Sequence, residues 1–132
     1  MSSIPTSIAP WLSVRRSAQA FAFYQSAFGA TEVFRMGGSG DEVLARLSID
    51  GAEFWMSEES PEYGNFSPES LGGGSVRMVL NVSDPDAVFA RAVAAGAAEV
   101  HPVGNQHGWR VGRVVDPFGH HWEIARQLEE GS

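Results

Sequence analysis

The side chain best placed for chemistry is Glu123, in the run His120-His121-Trp122-Glu123-Ile124-Ala125. Alternation along a strand puts His121, Glu123 and Ala125 on one face and Trp122 and Ile124 on the other. A carboxylate in a polar recess can act as a general base. With His121 and Glu53, which parity places on the same kind of face, it could also offer oxygen and nitrogen ligands to a displaced divalent metal. Side chains two apart on one strand seldom hold a single ion together, so a hydrogen bond or a solvated rim is the competing reading for His121. Several other chemistries are excluded. The chain has no cysteine, hence no disulfide, thiolate nucleophile or Cys-ligated metal. It has no Ser-His-Asp order, phosphate-binding glycine loop or dinucleotide fingerprint.

These residues need a strand pair to hold them. Trp109 to Val115 and His120 to Ala125 flank Asp116-Pro117-Phe118-Gly119, a turn in which proline fixes φ and glycine relieves the backbone. The same pattern occurs earlier in the chain. With Gly51 aligned on Gly119, Phe54 falls opposite Trp122 and Met56 opposite Ile124, while upstream Leu12-Ser13-Val14 falls opposite Leu80-Asn81-Val82. The sequence is a tandem repeat of one module. Ile8 to Val14 reads as a strand, with Ile8, Leu12 and Val14 on one face and Trp11 and Ser13 on the other. Ser17 to Phe28 reads as a helix, with Ser17 as N-cap and Gly29 as stop, whose Phe21, Tyr24 and Phe28 form a core stripe. Thr31 to Met36, Asp41 to Ile49 and Ala52 to Ser57 read as strands, with a hairpin turn at Gly38 to Gly40. After the repeat, Val76 to Val82 is a strand, Asp84 caps a helix ending at Gly96, and three strands close the unit. The predicted organisation over residues 1–132 is one α+β domain: a βαβββ module at 8–57, a linker or lid without regular structure at 58–75, and a second βαβββ module at 76–127. In the linker, Tyr63 and Phe66 are the side chains able to close on a ligand.

Composition limits the partners. A formal net charge of −7 with nine Lys and Arg residues argues against nucleic acid, whose affinity rests on many cationic contacts to phosphate. The N-terminal stretch has neither a basic flank nor a long apolar run, and no segment reaches the roughly 18 apolar residues of a membrane span. No signal peptide, no membrane association and a cytoplasmic location are expected.

The duplicated βαβββ pattern, FYQSAFG closing the first helix, and DPFGHHWEIA at the end resemble the vicinal oxygen chelate superfamily, the group of glyoxalase I, fosfomycin resistance proteins, extradiol dioxygenases and bleomycin resistance proteins. Within it, PEYGNFSPESLGG and GWRVGRVVDPFGHHW look most like the small bacterial PhnB-like branch. The resemblance implies paired modules forming curved, incomplete barrels around a cavity, assembled as a homodimer. It also implies where a metal would bind: a His on the first strand of each module and a His or Glu on the last. At those positions this chain has Ala9, Arg77, Trp55 and Glu123, so one ligand of four survives and no metal cofactor is expected. Arg77 in place of a histidine would set a permanent positive charge beside Glu123, either as a ligand anchor or as an ion pair that only offsets its own desolvation.

The leading expectation is therefore a metal-free protein that binds or sequesters a small organic molecule. Trp11, Trp55, Trp109 and Tyr63 would supply flat apolar surface, and Ser13, Asn81, Arg77 and His121 polar contacts. The alternative is a lyase, isomerase or dioxygenase with a rearranged metal site, or one using Glu123 as general base. A regulatory dimer with a vestigial cavity is the third reading. His101, His107 and Arg110 near the last hairpin read as a solvated rim.

Overall fold

A computed structural model describes residues 3–37 and 42–129 of the chain. The first repeat forms β1 (Trp11–Val14), α1 (Ser17–Phe28), β2 (Thr31–Gly37), β3 (Val43–Ile49) and β4 (Ala52–Glu58). A connector carrying a 3-10 turn at Pro61–Tyr63 and the short helix α2 (Pro68–Leu71) leads to the second repeat. That repeat consists of β5 (Arg77–Asn81), α3 (Pro85–Ala95), β6 (Ala98–Gln106), β7 (Trp109–Val115) and β8 (His121–Gln127). Each repeat makes its own curved, open four-stranded sheet, in the orders β1-β4-β3-β2 and β5-β8-β7-β6. Consecutive strands pair antiparallel, while the first and last strands of each repeat lie parallel, a pairing that requires the long crossover through helix and hairpin. The predicted hairpin turn at Gly38 to Gly40 lies outside the described residues. Among the described residues no helix is long and apolar enough to cross a membrane.

Both helices lie on the inner side of the sheets and pack on each other. Period-2 patterning directs Leu12, Val14, Leu47, Phe54 and Met56 of one sheet and Leu80, Val114, Trp122 and Ile124 of the other into one shared core. The stripe Phe21, Tyr24 and Phe28 of α1 is buried there. Phe28 and Phe54 reach across to Trp122, with ring centroids 4.7 and 5.6 Å away. The buried carboxylate of Asp116, in the turn before β8, anchors this core. It accepts from Tyr24 Oη at 2.6 Å, Trp122 Nε1 at 2.9 Å, and the backbone N–H groups of Phe118 at 2.9 Å and His120 at 3.0 Å. Gly119 has φ +93°, and a Cβ there would stand 2.7 Å from Pro68 Cβ, so the turn packs against α2 only if this residue is glycine.

The sequence reading needs correction at several element ends. The first strand starts at Trp11, not Ile8, because Pro10 has no N–H to donate; its carbonyl accepts from Trp55 N instead, and Ile8 is almost wholly exposed. Ser17 is not the cap of α1. Arg16 occupies that position in the left-handed region, and the carboxylate of Glu58, at the end of β4, accepts from the N–H groups of Arg16 and Ser17. Ser17 Oγ instead accepts from Val43 N inside the core. Val76 precedes β5 and is exposed. The 58–75 segment is not irregular throughout. Glu59 ties it down by accepting from Ser67 N at 2.8 Å, Ser70 Oγ at 2.7 Å and Arg15 Nε at 3.2 Å. Those bonds, led by that from Ser67, lower the Glu59 carboxyl to about 2.

Candidate functional site

Since the inner sides of both sheets look onto one core, the opposite faces look outward, and these faces carry the predicted site residues. On the first sheet, parallel pairing of β1 with β4 sets Trp11 directly beside Trp55. Their rings stack 5.0 Å apart at 8°, and Trp11 Nε1 donates to Ser57 Oγ at 2.9 Å. Phe34 from β2 adds a third ring 6.0 Å from Trp55. Arg46 from β3 lies over the Trp55 ring at 5.6 Å and pairs with Glu53. The result is an aromatic wall whose outermost ring, Trp11, is 52% exposed.

On the second sheet, Glu123 lies between two guanidinium groups. Arg77 Nε donates to Glu123 Oε1 at 2.7 Å, and Arg113 Nη2 donates to the same oxygen at 2.8 Å. The bond from Arg113, with the charge and bond of Arg77 behind it, outweighs burial and holds the Glu123 carboxyl below the usual carboxylate range. A carboxylate so stabilised is a weakened proton acceptor, which counts against Glu123 as general base. Arg113 Nε, also buried, has no hydrogen-bond partner among the described residues.

The remaining predicted residues are spread along these faces. Trp11, Ser13 and His121 line a recess of about 160 Å³ with Phe66 and Leu71 of the connector. His120 Nε2 is 2.9 Å from the Ser13 carbonyl, tying β8 to β1. Arg77 and Glu53 border a cleft of about 470 Å³ between the two halves. Asn81 shares a cavity with Trp109, and Trp109 shares another with Glu123. Tyr63 is 81% exposed on the 3-10 turn and does not close on these recesses. The expectation that Trp11 and Trp55 line the same space as Arg77 and Glu123 does not hold within one chain. The tryptophans belong to the first sheet and the ion cluster to the second, and the two faces meet where Trp11 and Ser13 share a recess with His121.

Two residues were misjudged in the sequence. Arg113 is not singled out in the sequence because its place depends on the hairpin register: the strands pair Val115 with His121 and Arg113 with Glu123, one residue away from the Val115–His120 pairing that counting out from Asp116–Gly119 would give. Arg110 is partly solvent-exposed, as a rim residue would be, but it is not free. It makes two short bonds to Asp86 of α3, at 2.6 and 2.7 Å, pinning helix to sheet on the inner side.

The donor set does not suit a metal ion. Where the resemblance places ligands, Ala9 and Trp55 have no donor to offer a cation, Arg77 is itself cationic, and Glu123 is bonded by two guanidinium groups. Glu123, His121 and Glu53 are not brought together: among the described residues no group of three His, Asp or Glu side chains could hold an ion. A divalent cation at Glu123 would also sit against two positive charges.

Comparison with known proteins agrees with the architecture. The uncharacterized protein Rv0887c of Mycobacterium tuberculosis H37Rv is 38% identical over 133 residues, an alignment covering 97% of this chain and 78% of that protein. The crystal structure of TioX from Micromonospora sp. ML1 superposes with a TM-score of 0.72 at 27% identity, covering 93% of this chain and all of that one. A member of the glyoxalase/bleomycin resistance protein/dioxygenase superfamily from Sphaerobacter thermophilus, at 18% identity and a TM-score of 0.72, covers 93% of this chain and 98% of that one and shares the fold. Residues 11–125 match the family described as glyoxalase-like domain. With its two βαβββ units and open curved sheets, the chain belongs to the glyoxalase-like domain family.

Proposed function

We propose that the protein binds or sequesters a small organic molecule without a metal ion, between an aromatic wall and a guanidinium-bearing wall. The observation that carries this reading is the convergence of Arg77 and Arg113 on Glu123 Oε1, which fills with fixed positive charge the position where a cation would otherwise sit. The stacked Trp11 and Trp55 with Phe34 support it, since flat rings beside a few polar groups suit planar organic ligands.

A homodimer belongs to the same proposal. Each chain holds one aromatic face and one basic face turned outward, with Trp11 and Val79 more than half exposed and β1 and β5 as sheet edges. A two-fold axis can set the aromatic face of one copy over the basic face of the other, so that two closed sites form from two open halves.

The test is a nitrogen-15 NMR titration of chelator-treated protein with 2-naphthamide, a neutral planar probe. Saturable shifts of the Trp11 and Trp55 indole signals in the absence of metal are expected. Binding that requires an added divalent ion, or no shift at these indoles, would refute the reading.

A further inference from the structure

A recess along the outer face of the second sheet combines charge with an unsatisfied donor. Two adjoining cavities of about 270 and 310 Å³ are both lined by Gln106, Val111 and Glu123; the first adds Arg113 and the second Trp109. Arg113 lines one of these cavities and Glu123 both, while Arg77 bonds Glu123 from beside them, so two guanidinium groups share one carboxylate and leave one unit of positive charge uncompensated within a chain whose net charge is −7. Both bonds to Glu123 fall on Oε1, and Arg113 Nε is a buried donor with no partner among the described residues. A buried charged N–H left unpaired is costly, and a planar guanidinium fork is shaped to take a carboxylate through two parallel bonds.

We infer that this groove recognises the carboxylate of a small organic acid, with Arg113 as its binding residue, Arg77 adding charge from beside the groove, and the planar or apolar body of the acid lying against Trp109. Glu123 then acts as a built-in counter-ion. It keeps the two guanidinium groups aligned, and its own charge competes with that of the incoming acid. This deepens the proposed metal-free binding function and rests on it.

The experiment compares 2-naphthoate with 2-naphthamide, which has the same ring but no charge, by NMR titration of the wild-type protein and of Arg113→Gln, Arg113→Lys and Glu123→Gln. Naphthoate is expected to bind at least about tenfold tighter than naphthamide, with shifts of the Arg113 guanidinium signals. Arg113→Gln should lose about tenfold for naphthoate and markedly less for naphthamide. Arg113→Lys should recover only part of that loss, because it restores charge without the fork. Glu123→Gln, which keeps an acceptor oxygen and removes the competing charge, should bind naphthoate more tightly. Equal affinity for the two probes in the wild type would overturn the inference while leaving metal-free binding in place. So would a Glu123→Gln variant that binds naphthoate more weakly. Failure of both probes to bind overturns the inference and the proposed function together.

Discussion

Replacing Tyr24 with Phe removes one oxygen atom from the centre of the core and leaves the ring stack in place. Tyr24 is fully buried and donates to Asp116 Oδ2 at 2.6 Å. A hydrogen bond to a charged group is worth about 1.5 to 3 kcal/mol. Asp116 keeps its bonds from Trp122 Nε1, Phe118 N and His120 N, so it is not left orphaned, and a loss of about 2 kcal/mol is expected. For a chain of this length that corresponds to a fall of roughly 6 to 8 °C in Tm. The pH dependence provides a second signature. Burial first, and then the Asp116 charge, raise the Tyr24 phenol well above its ordinary value of 10.0. Above about pH 10 the unfolded chain therefore releases a proton that the folded chain keeps, and stability falls by up to about 1.4 kcal/mol per pH unit. All nine basic residues are arginine, so no lysine titration overlaps this range. Urea unfolding followed by tryptophan fluorescence, at fixed protein concentration and at pH 8 and pH 11, measures both effects. Tyr24→Phe should be less stable at pH 8 with an unchanged m-value, and should lose less on going to pH 11 than the wild type. A loss below about 0.5 kcal/mol at pH 8, or identical alkaline losses in the two proteins, would refute the reasoning.

Two further outcomes are expected. The Glu59 carboxyl is held at about 2 by its bonds to Ser67, Ser70 and Arg15, below its ordinary value of 4.5. Its contribution is present above pH 4.5 and disappears as pH falls towards 2, so amide exchange in the 58–75 segment should accelerate over that window in the wild type and already be fast in Glu59→Gln at pH 6. Gly119→Ala sets a methyl group 2.7 Å from Pro68 Cβ at φ +93°, and should destabilise by about 1 to 3 kcal/mol in the same unfolding assay, the connector losing amide protection first.

The sequence made local and repeated features legible. Strand parity separated Trp122 from Glu123, and the family resemblance, read through the internal repeat, placed Arg77 beside Glu123, which it meets at 2.7 Å. The turn before β8 did not reveal Arg113, because counting outward from Asp116–Gly119 sets it opposite Trp122, whereas the hairpin closes between Asp116 and His120 and sets it opposite Glu123. Features set by packing between distant elements were hidden. That Arg110 is held by Asp86 depends on where α3 lies on β7, and the cap of α1 comes from Glu58, 42 residues away from Arg16. The contact between α1 and α3 likewise joins elements that no short-range pattern relates. Trp11 and Trp55 were expected in the same space as Arg77 and Glu123, whereas they form a wall of a different sheet.

The central claim is that fixed guanidinium charge has taken the place of a cation at Glu123, and metal content tests it most directly. Protein purified without chelator should contain less than about 0.1 equivalent of zinc, nickel, manganese or iron per chain by elemental analysis, and calorimetric titration with these ions should give no saturable heat at micromolar concentration. About one equivalent of any of them per chain, lost on Glu123→Gln substitution, would contradict the account.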